Sequence, residues 1–258
     1  MRSHIRFISI LFIIAFSVNG YSQESITIVY GAHYKPFAWG ENNIAYGVQK
    51  DFVEAVLGGK MGIKVKHEAY PWKRCQRMVR EGSVDGFFTV ATPERAEYTM
   101  SSAPFYETHF VMHTGKLNPN VARLKTVRSL EELERLHNIN HIYMLGSGWH
   151  ENALKNMKNI TKNVDASTIP IMLKRQRADV YIEQAEMFRY QAKEKGVLED
   201  ILTLNEFTMK DLGWRIFIGN KSKHQSLIPK VNAMLETLRA SGELEKMKLE
   251  IFKNNNIE

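Results

Sequence analysis

Residues 63–95 read IKVKHEAYPWKRCQRMVREGSVDGFFTVATPER, and this stretch decides the fold. IKVKHEAY (63–70) alternates apolar and polar residues, the period of a half-buried strand. WKRCQRMVREGS (72–83) follows as a helix that stops at Gly82, where a left-handed cap needs no Cβ. DGFFTVA (85–91) is apolar and rich in residues that favour extended backbone. Strand, helix and strand in that order form a crossover unit with parallel strands. Beyond Val90 the chain breaks at Pro93 and sets a permanent cation, Arg95, at the mouth of the apolar strand. Either Arg95 is a solvated or paired charge at a helix start, or an anion is meant to sit beside it.

Outward from this unit the same grammar continues. SITIVYG (25–31) is a strand, and 46–62 is a helix with Phe52, Val53, Val56 and Leu57 at helical spacing. A second series begins with a helix at 129–137, opened by Ser129 and acids in the first turn. HIYMLGSG (141–148) is a strand entering a tight turn, and 149–159 is a helix. The segment 168–177 is a short helix, 179–184 a strand, 185–196 a helix and 201–207 extended. GWRIFIGNKS (213–222) is a strand and turn. The helical segment 226–252, broken at Gly242, has no sheet of its own and is expected to pack on the first series. The expected architecture is α/β with two lobes, each a mostly parallel sheet flanked by helices. Residues 23–112 and 213–258 form the first lobe, and 113–212 the inserted second. Segments near 108–120 and 204–213 are the two crossings.

The N-terminus carries Arg2 and Arg6, an apolar run from Ile8 to Val18, and Gly20 and Ser22 at the spacing of a cleavage site. This is the pattern of an export signal covering 1–22, too short in its apolar part to span a membrane. An uncleaved anchor is the alternative. Cleavage of 22 of the 258 residues leaves 236, enough for one large or two modest domains. The net charge of +7 includes the two leader arginines. It is spread without a basic stripe, so nucleic acid is not expected as a partner. Cys75 is the single cysteine, which excludes an internal disulfide and reads as a small buried apolar residue.

Several motifs in sequence resemble the family 3 periplasmic solute-binding proteins, the receptors of polar amino-acid uptake systems. They are YKPFAW (34–39), GVQKDFVEAV (47–56), YPWKRCQRMVREGSVDG (70–86), TPERAEYTMSSAPFY (92–106), GSGW (146–149), RADVYIEQ (177–184) and VNAMLETLRASGELEKM (231–247). The resemblance covers nearly the whole mature chain. It implies a ligand held in the cleft between lobes, with the arginine of the T-x-x-R segment on the ligand's carboxylate. Here that residue is Arg95, led by Thr92. The chemistry suits it, because a guanidinium fork matches a carboxylate and keeps its charge. Thr89 and Thr92 would add hydroxyl donors.

By the same resemblance Tyr34 and Phe37, with Trp39 close by, form an aromatic wall, or else pack their own loop. Trp72 borders the same edge, with structural packing as the favoured alternative. Gly146 and Ser147 open the second-lobe helix, where Ser147 either meets an anion or simply caps. The chain departs from the family's pattern at one point. The family's aspartate would fall on Gln184, counted from Asp179, but the acid here is Glu183. The TVATPER loop is also shorter.

The expected function is a periplasmic solute-binding protein for a small carboxylate-bearing, amino-acid-like ligand. Its partners would be that polar solute and an inner-membrane ABC permease or a sensor receptor. A monomer without cofactor or metal is expected. The alternatives are a periplasmic dehydratase-like enzyme on the same fold, with Glu183 as its acid and His33, His109 and His113 near the cleft, or a ligand sensor acting through a membrane receptor. No HExxH or GxSxG motif is present.

Overall fold

The computed structural model describes residues 25–204, 207 and 212–257. The export signal expected over 1–22 lies outside the described residues. Among the described residues one nine-stranded sheet stands on one side, and a three-stranded sheet bridged to a two-stranded one stands on the other as a second layer. The first holds the parallel trio expected from the opening stretch, with Ile26–Gly31 between Val65–Tyr70 and Gly86–Val90. Helix Trp72–Glu81 connects the latter two and ends on Gly82 with φ of 83°. Its inner face carries Cys75 and Val79, packed with Val29, Phe87 and Phe217.

The sheet as a whole is mixed rather than mostly parallel. Leu212–Gly219 returns antiparallel beside Gly86–Val90 and also pairs with Thr99–Ser101 and Tyr106–Thr108. On the other edge His33–Tyr34, Ala38–Glu41 and Ile44–Tyr46 form an antiparallel meander that joins Val65–Tyr70. Asn42 and Asn43 make its tight turn with φ of 50° and 63°. This is the left-handed pair that a two-residue hairpin turn needs, and asparagine tolerates it. Parallel order holds only where a helix intervenes. Hairpins and a strand returning from elsewhere in the chain close the edges antiparallel.

In the second sheet Phe110–Gly115 lies between Tyr181–Gln184 and Ile201–Leu204, both antiparallel to it. Asn140–Met144 pairs in parallel with Asn159–Asn163, and a His141–Val180 bridge links this pair to the rest. The helix expected over 149–159 covers only Gly148–Ala153. Asn159, the last residue of that expected helix, instead opens the strand Asn159–Asn163, whose backbone is satisfied by Asn140–Met144. The helix expected over 46–62 is helical, as Val48–Val53 followed by a π-helical turn, Glu54–Lys60.

The chain passes between the sheets at His109. Tyr106–Thr108 belongs to the first sheet and Phe110–Gly115 to the second, so Phe110, Val111 and Met112 fall on the second-sheet side of the expected 112/113 boundary. Of the other crossing, residues 205, 206 and 208–211 lie outside the described residues. Helices Leu227–Ala240 and Glu243–Asn254 pack on the first sheet, with Phe252 set edge-on against Phe37, Phe52 and Tyr106. Such pairs add about 0.5–1.5 kcal/mol each beyond the area they bury.

The carboxyl ends of Ile26–Gly31, Val65–Tyr70 and Gly86–Val90 lie on one edge of the first sheet. Those of Asn140–Met144 and Tyr181–Gln184 lie on one edge of the second. Open α/β sheets collect their ligand sites at such edges, and the cleft lies between these two.

Candidate functional site

The cleft holds a cavity of about 250 Å³. Six of the nine residues expected at the site line it: Tyr34, Trp72, Thr89, Arg95, Ser147 and Glu183. Three do not. Phe37 is fully buried, stacked on Trp214 at 6.0 Å between ring centroids. The turn that presents Tyr34 to the cleft sends Phe37 into the first-lobe core. Thr92 is the cap of the short helix Pro93–Ala96, its Oγ1 accepting from the Arg95 backbone N–H at 3.3 Å. Its hydroxyl orients the arginine's backbone and stays out of the cavity. Gly146 has φ of 85°, and a Cβ there would lie 3.1 Å from Lys73 Cγ, a first-lobe side chain. It permits a turn and a close approach between lobes without lining the site.

Arg95 is 3% exposed. Its Nη1 donates to the Val90 carbonyl at 2.6 Å, and the guanidinium lies over the Trp72 ring, 5.3 Å from its centroid. Nε is buried without a hydrogen-bond partner, and Arg95 takes part in no ion pair among the described residues. Its neighbour Glu94 pairs with Arg80 instead, at 2.7 Å. Desolvation pulls the guanidinium down to about 10. At neutral pH it stays charged, so a full positive charge is buried with no counter-ion among the described residues. Burying an unpaired charge is costly. A desolvated, unpaired charge in a cleft marks a candidate binding group.

Glu183 is the complementary group from the second lobe. It is 2% exposed and reaches the cavity from strand Tyr181–Gln184. Tyr181 sits two residues earlier on the same face, and its hydroxyl donates to Oε2 at 2.7 Å. Tyr34 from the first lobe donates to Oε1 at 3.0 Å, and the Gln184 backbone N–H donates to the same oxygen at 2.9 Å. Burial outweighs these three donors and pushes the carboxyl up to about 7. Gln184 does not line the cavity: its Oε1 accepts from the Thr108 hydroxyl at 3.0 Å, and its Nε2 donates to the Tyr34 hydroxyl at 3.4 Å. Strand alternation therefore separates the pair. Glu183 meets the cavity, and Gln184 ties the first crossing to the second lobe.

Ser147 behaves differently from either expectation. Its hydroxyl meets His150 Nδ1 at 2.7 Å, while His150 Nε2 donates to the Ile182 carbonyl at 2.7 Å. Burial holds His150 down at about 4, so the ring is neutral and Nδ1 accepts. The Ser147 proton is therefore committed to His150, and its oxygen faces the cavity as an acceptor. No side-chain cap is made to helix Gly148–Ala153.

The remaining walls were not singled out in the sequence. Gln49, Phe110, Trp149, Trp214, Leu145 and Val164 all line the cavity. Trp149 stood within the GSGW motif and was readable there. Trp214 reaches the cleft only because its strand returns from the end of the chain to pair with Gly86–Val90. His33 lines the cavity, whereas His113 is buried and stacked on Phe188 at 3.9 Å, held neutral at about 3 by desolvation. Cys75 faces the carbonyls of Tyr30 and Tyr70, and burial raises its thiol to about 12, so it is no nucleophile. Among the described residues no group of three or more His, Cys, Asp or Glu side chains could hold a metal ion.

No curated protein sequence matches the chain. Solved structures do match in fold. An ancestral arginine-binding protein bound to arginine superposes with a TM-score of 0.69 at 19% identity, over 88% of this chain and 98% of that one. The substrate-binding protein of an amino acid ABC transporter gives 0.68 at 20% identity, over 89% and 100%. A histidine kinase sensor domain with similarity to periplasmic binding proteins gives 0.70 at 15% identity, over 88% and 96%. The family comparison is more specific. Residues 26–254 match the model of the bacterial extracellular solute-binding proteins, family 3, and the chain belongs to that family.

Proposed function

We propose that the protein captures a free amino acid between its lobes, with Arg95 on the ligand's carboxylate and Glu183 on its ammonium group. One observation carries this reading: a buried guanidinium faces the same cavity as a buried carboxyl, and among the described residues neither has an ion-pair partner. A zwitterion supplies both missing partners, and charge-assisted hydrogen bonds in a closed cavity are the strong kind. Thr89 and Ser147 add polar contacts, and Trp72 and Tyr34 flank them.

The two groups come from different lobes, so a ligand that holds both also holds the lobes together. In this reading the first lobe is 25–108 with 212–257, the second is 110–204, and closure bends the crossings. Similarity to an ABC transporter's substrate-binding protein and to a kinase sensor domain supports two membrane partners, a permease and a receptor. The export pattern of residues 1–22 supports a periplasmic location.

A second reading, catalysis on the same scaffold, has one observation in its favour. A cavity carboxyl pushed up to about 7 lies in the range useful for general acid–base chemistry. Prolonged incubation with each bound ligand, followed by mass spectrometry, distinguishes the two, since a receptor returns its ligand unchanged.

The binding reading is tested by calorimetry with matched ligand pairs, an amino acid and its deaminated analogue. Glu183→Gln keeps the shape and removes the charge. It is expected to weaken the amine-bearing member sharply and the deaminated one barely. Equal weakening of both, or of neither, removes Glu183 from the ammonium role.

A further inference from the structure

The cavity is far more apolar than its charged groups, Arg95, Glu183 and Lys73, suggest. Trp72 and Phe88 line it from the first lobe, and Phe110, Met144 and Trp149 from the second, with Trp214 behind. Two more apolar side chains, Leu145 and Val164, line it while remaining 49% and 75% exposed. Exposed apolar side chains at a cavity rim gain most when something apolar covers them. Glu183 is the only acid among the described lining residues, and the hydrogen bonds of the hydroxyls around it are already committed to Glu183 itself.

From these observations we infer that the ligand is an amino acid with a large apolar side chain, aromatic or branched. This inference rests on the assignment of Arg95 and Glu183 to the backbone groups of the ligand. With those groups held, the side chain must occupy what remains, which is mostly aromatic and aliphatic surface with Gln49 and His33 as its further polar points. A cationic side chain would need a second carboxylate, and the described lining residues offer none. An amide side chain would have only Gln49 and His33 as further polar lining and would otherwise meet tryptophan and phenylalanine, where an unpaired polar atom costs affinity. An acidic side chain would find Lys73 alone, and Lys73 already lies 3.7 Å from Glu151. Size agrees as well. An apolar cavity of about 150 Å³ accepts benzene, and the space here, about 250 Å³, accommodates a ring together with the carboxylate and ammonium.

Val164 supplies the specificity test because its exposure makes substitution tolerable to the fold. Calorimetry is run on the wild-type mature chain with L-phenylalanine, L-leucine, L-alanine, L-glutamine, L-arginine and L-glutamate, and with 3-phenylpropionate as the deaminated control. L-Phenylalanine or L-leucine is expected to bind at least about tenfold tighter than glutamine, arginine or glutamate. Val164→Asp, with its thermal unfolding temperature unchanged, is expected to weaken that apolar ligand by about three- to tenfold more than it weakens L-alanine, and equal weakening of the two overturns the inference. Tighter binding of a polar amino acid overturns the side-chain inference and leaves the backbone assignment standing. Tight binding of 3-phenylpropionate with no gain from the amine overturns the backbone assignment instead. Failure of every apolar amino acid to bind overturns the inference outright.

Discussion

The two lobes bring opposite charges to one cavity and treat them in opposite ways. Arg95, from the first lobe, has one carbonyl and one aromatic face for company and a buried Nε with no partner. Glu183, from the second, accepts three hydrogen bonds, one of them across the cleft. Burial disfavours the charged form of both. It moves Arg95 only to about 10 and Glu183 to about 7. The arginine therefore waits as a fixed cation, while the glutamate can meet burial by taking up a proton. A site built this way pre-organises the carboxylate contact and leaves the ammonium contact sensitive to pH.

The strongest way to break this comparison is Arg95→Ala. Loss of a desolvated ionic partner should cost the ligand about 2–5 kcal/mol. The unliganded fold should hold its unfolding temperature nearly unchanged, because a buried uncompensated charge leaves with the side chain. Unchanged affinity in calorimetry would falsify the clamp.

The next largest effect belongs to Glu183 without ligand. Its folded pKa, about 7, lies above the reference value of 4.5. The folded chain therefore keeps the proton to higher pH than the unfolded chain does. This group's contribution is most favourable below about pH 4.5 and declines as pH rises to about 7, by roughly 3 kcal/mol in all. Denaturant titrations across that window should show the decline in wild type and a flatter profile in Glu183→Gln. Equal slopes in the two proteins would mean that Glu183 ionises as an ordinary surface carboxyl.

Binding should show the same titration with opposite sign. An ammonium group selects the ionised carboxylate, so complex formation below pH 7 expels a proton. Affinity for an amine-bearing ligand should climb between pH 5 and 7, by up to about tenfold per unit, while the deaminated analogue shows no such climb. Proton release read in buffers of different ionisation enthalpy gives an independent check.

Tyr34→Phe sharpens the contrast with the smallest expected effect. It removes the one donor that reaches Glu183 from the opposite lobe and should cost about 0.5–1.5 kcal/mol of stability. The midpoint of the binding pH profile should move upward, since one support of the carboxylate is gone. A midpoint that stays put would show that Tyr181 and the Gln184 backbone hold Glu183 alone.

Much of this was legible in the chain order. The strand–helix–strand unit at 63–91 follows from local periodicity and the glycine at 82, and local rules act within one element. Arg95 could be singled out because a cation after an apolar strand and a proline is conspicuous at short range. Less legible were the antiparallel return of Leu212–Gly219 into the first sheet and the strand at Asn159–Asn163. Both depend on partners far away in sequence, and strand preference is set by the neighbours a strand finds. Phe37 misled for a related reason. An aromatic beside a proline turn fits a cleft wall or a core equally well, and the stacking of Trp214 decided for the core.

Local sequence specifies which elements form, where they cap and break, and which residues could carry charge to the ends of the strands. Those properties depend on backbone geometry and side-chain chemistry within a few residues. Only the tertiary structure decided which charges were left without partners. Tyr34 and Glu183 stand 149 residues apart and meet at 3.0 Å, whereas Arg95 meets no acid among the described residues. A charge's pairing and desolvation depend on what the folded chain places around it, and a linear sequence does not specify that shell.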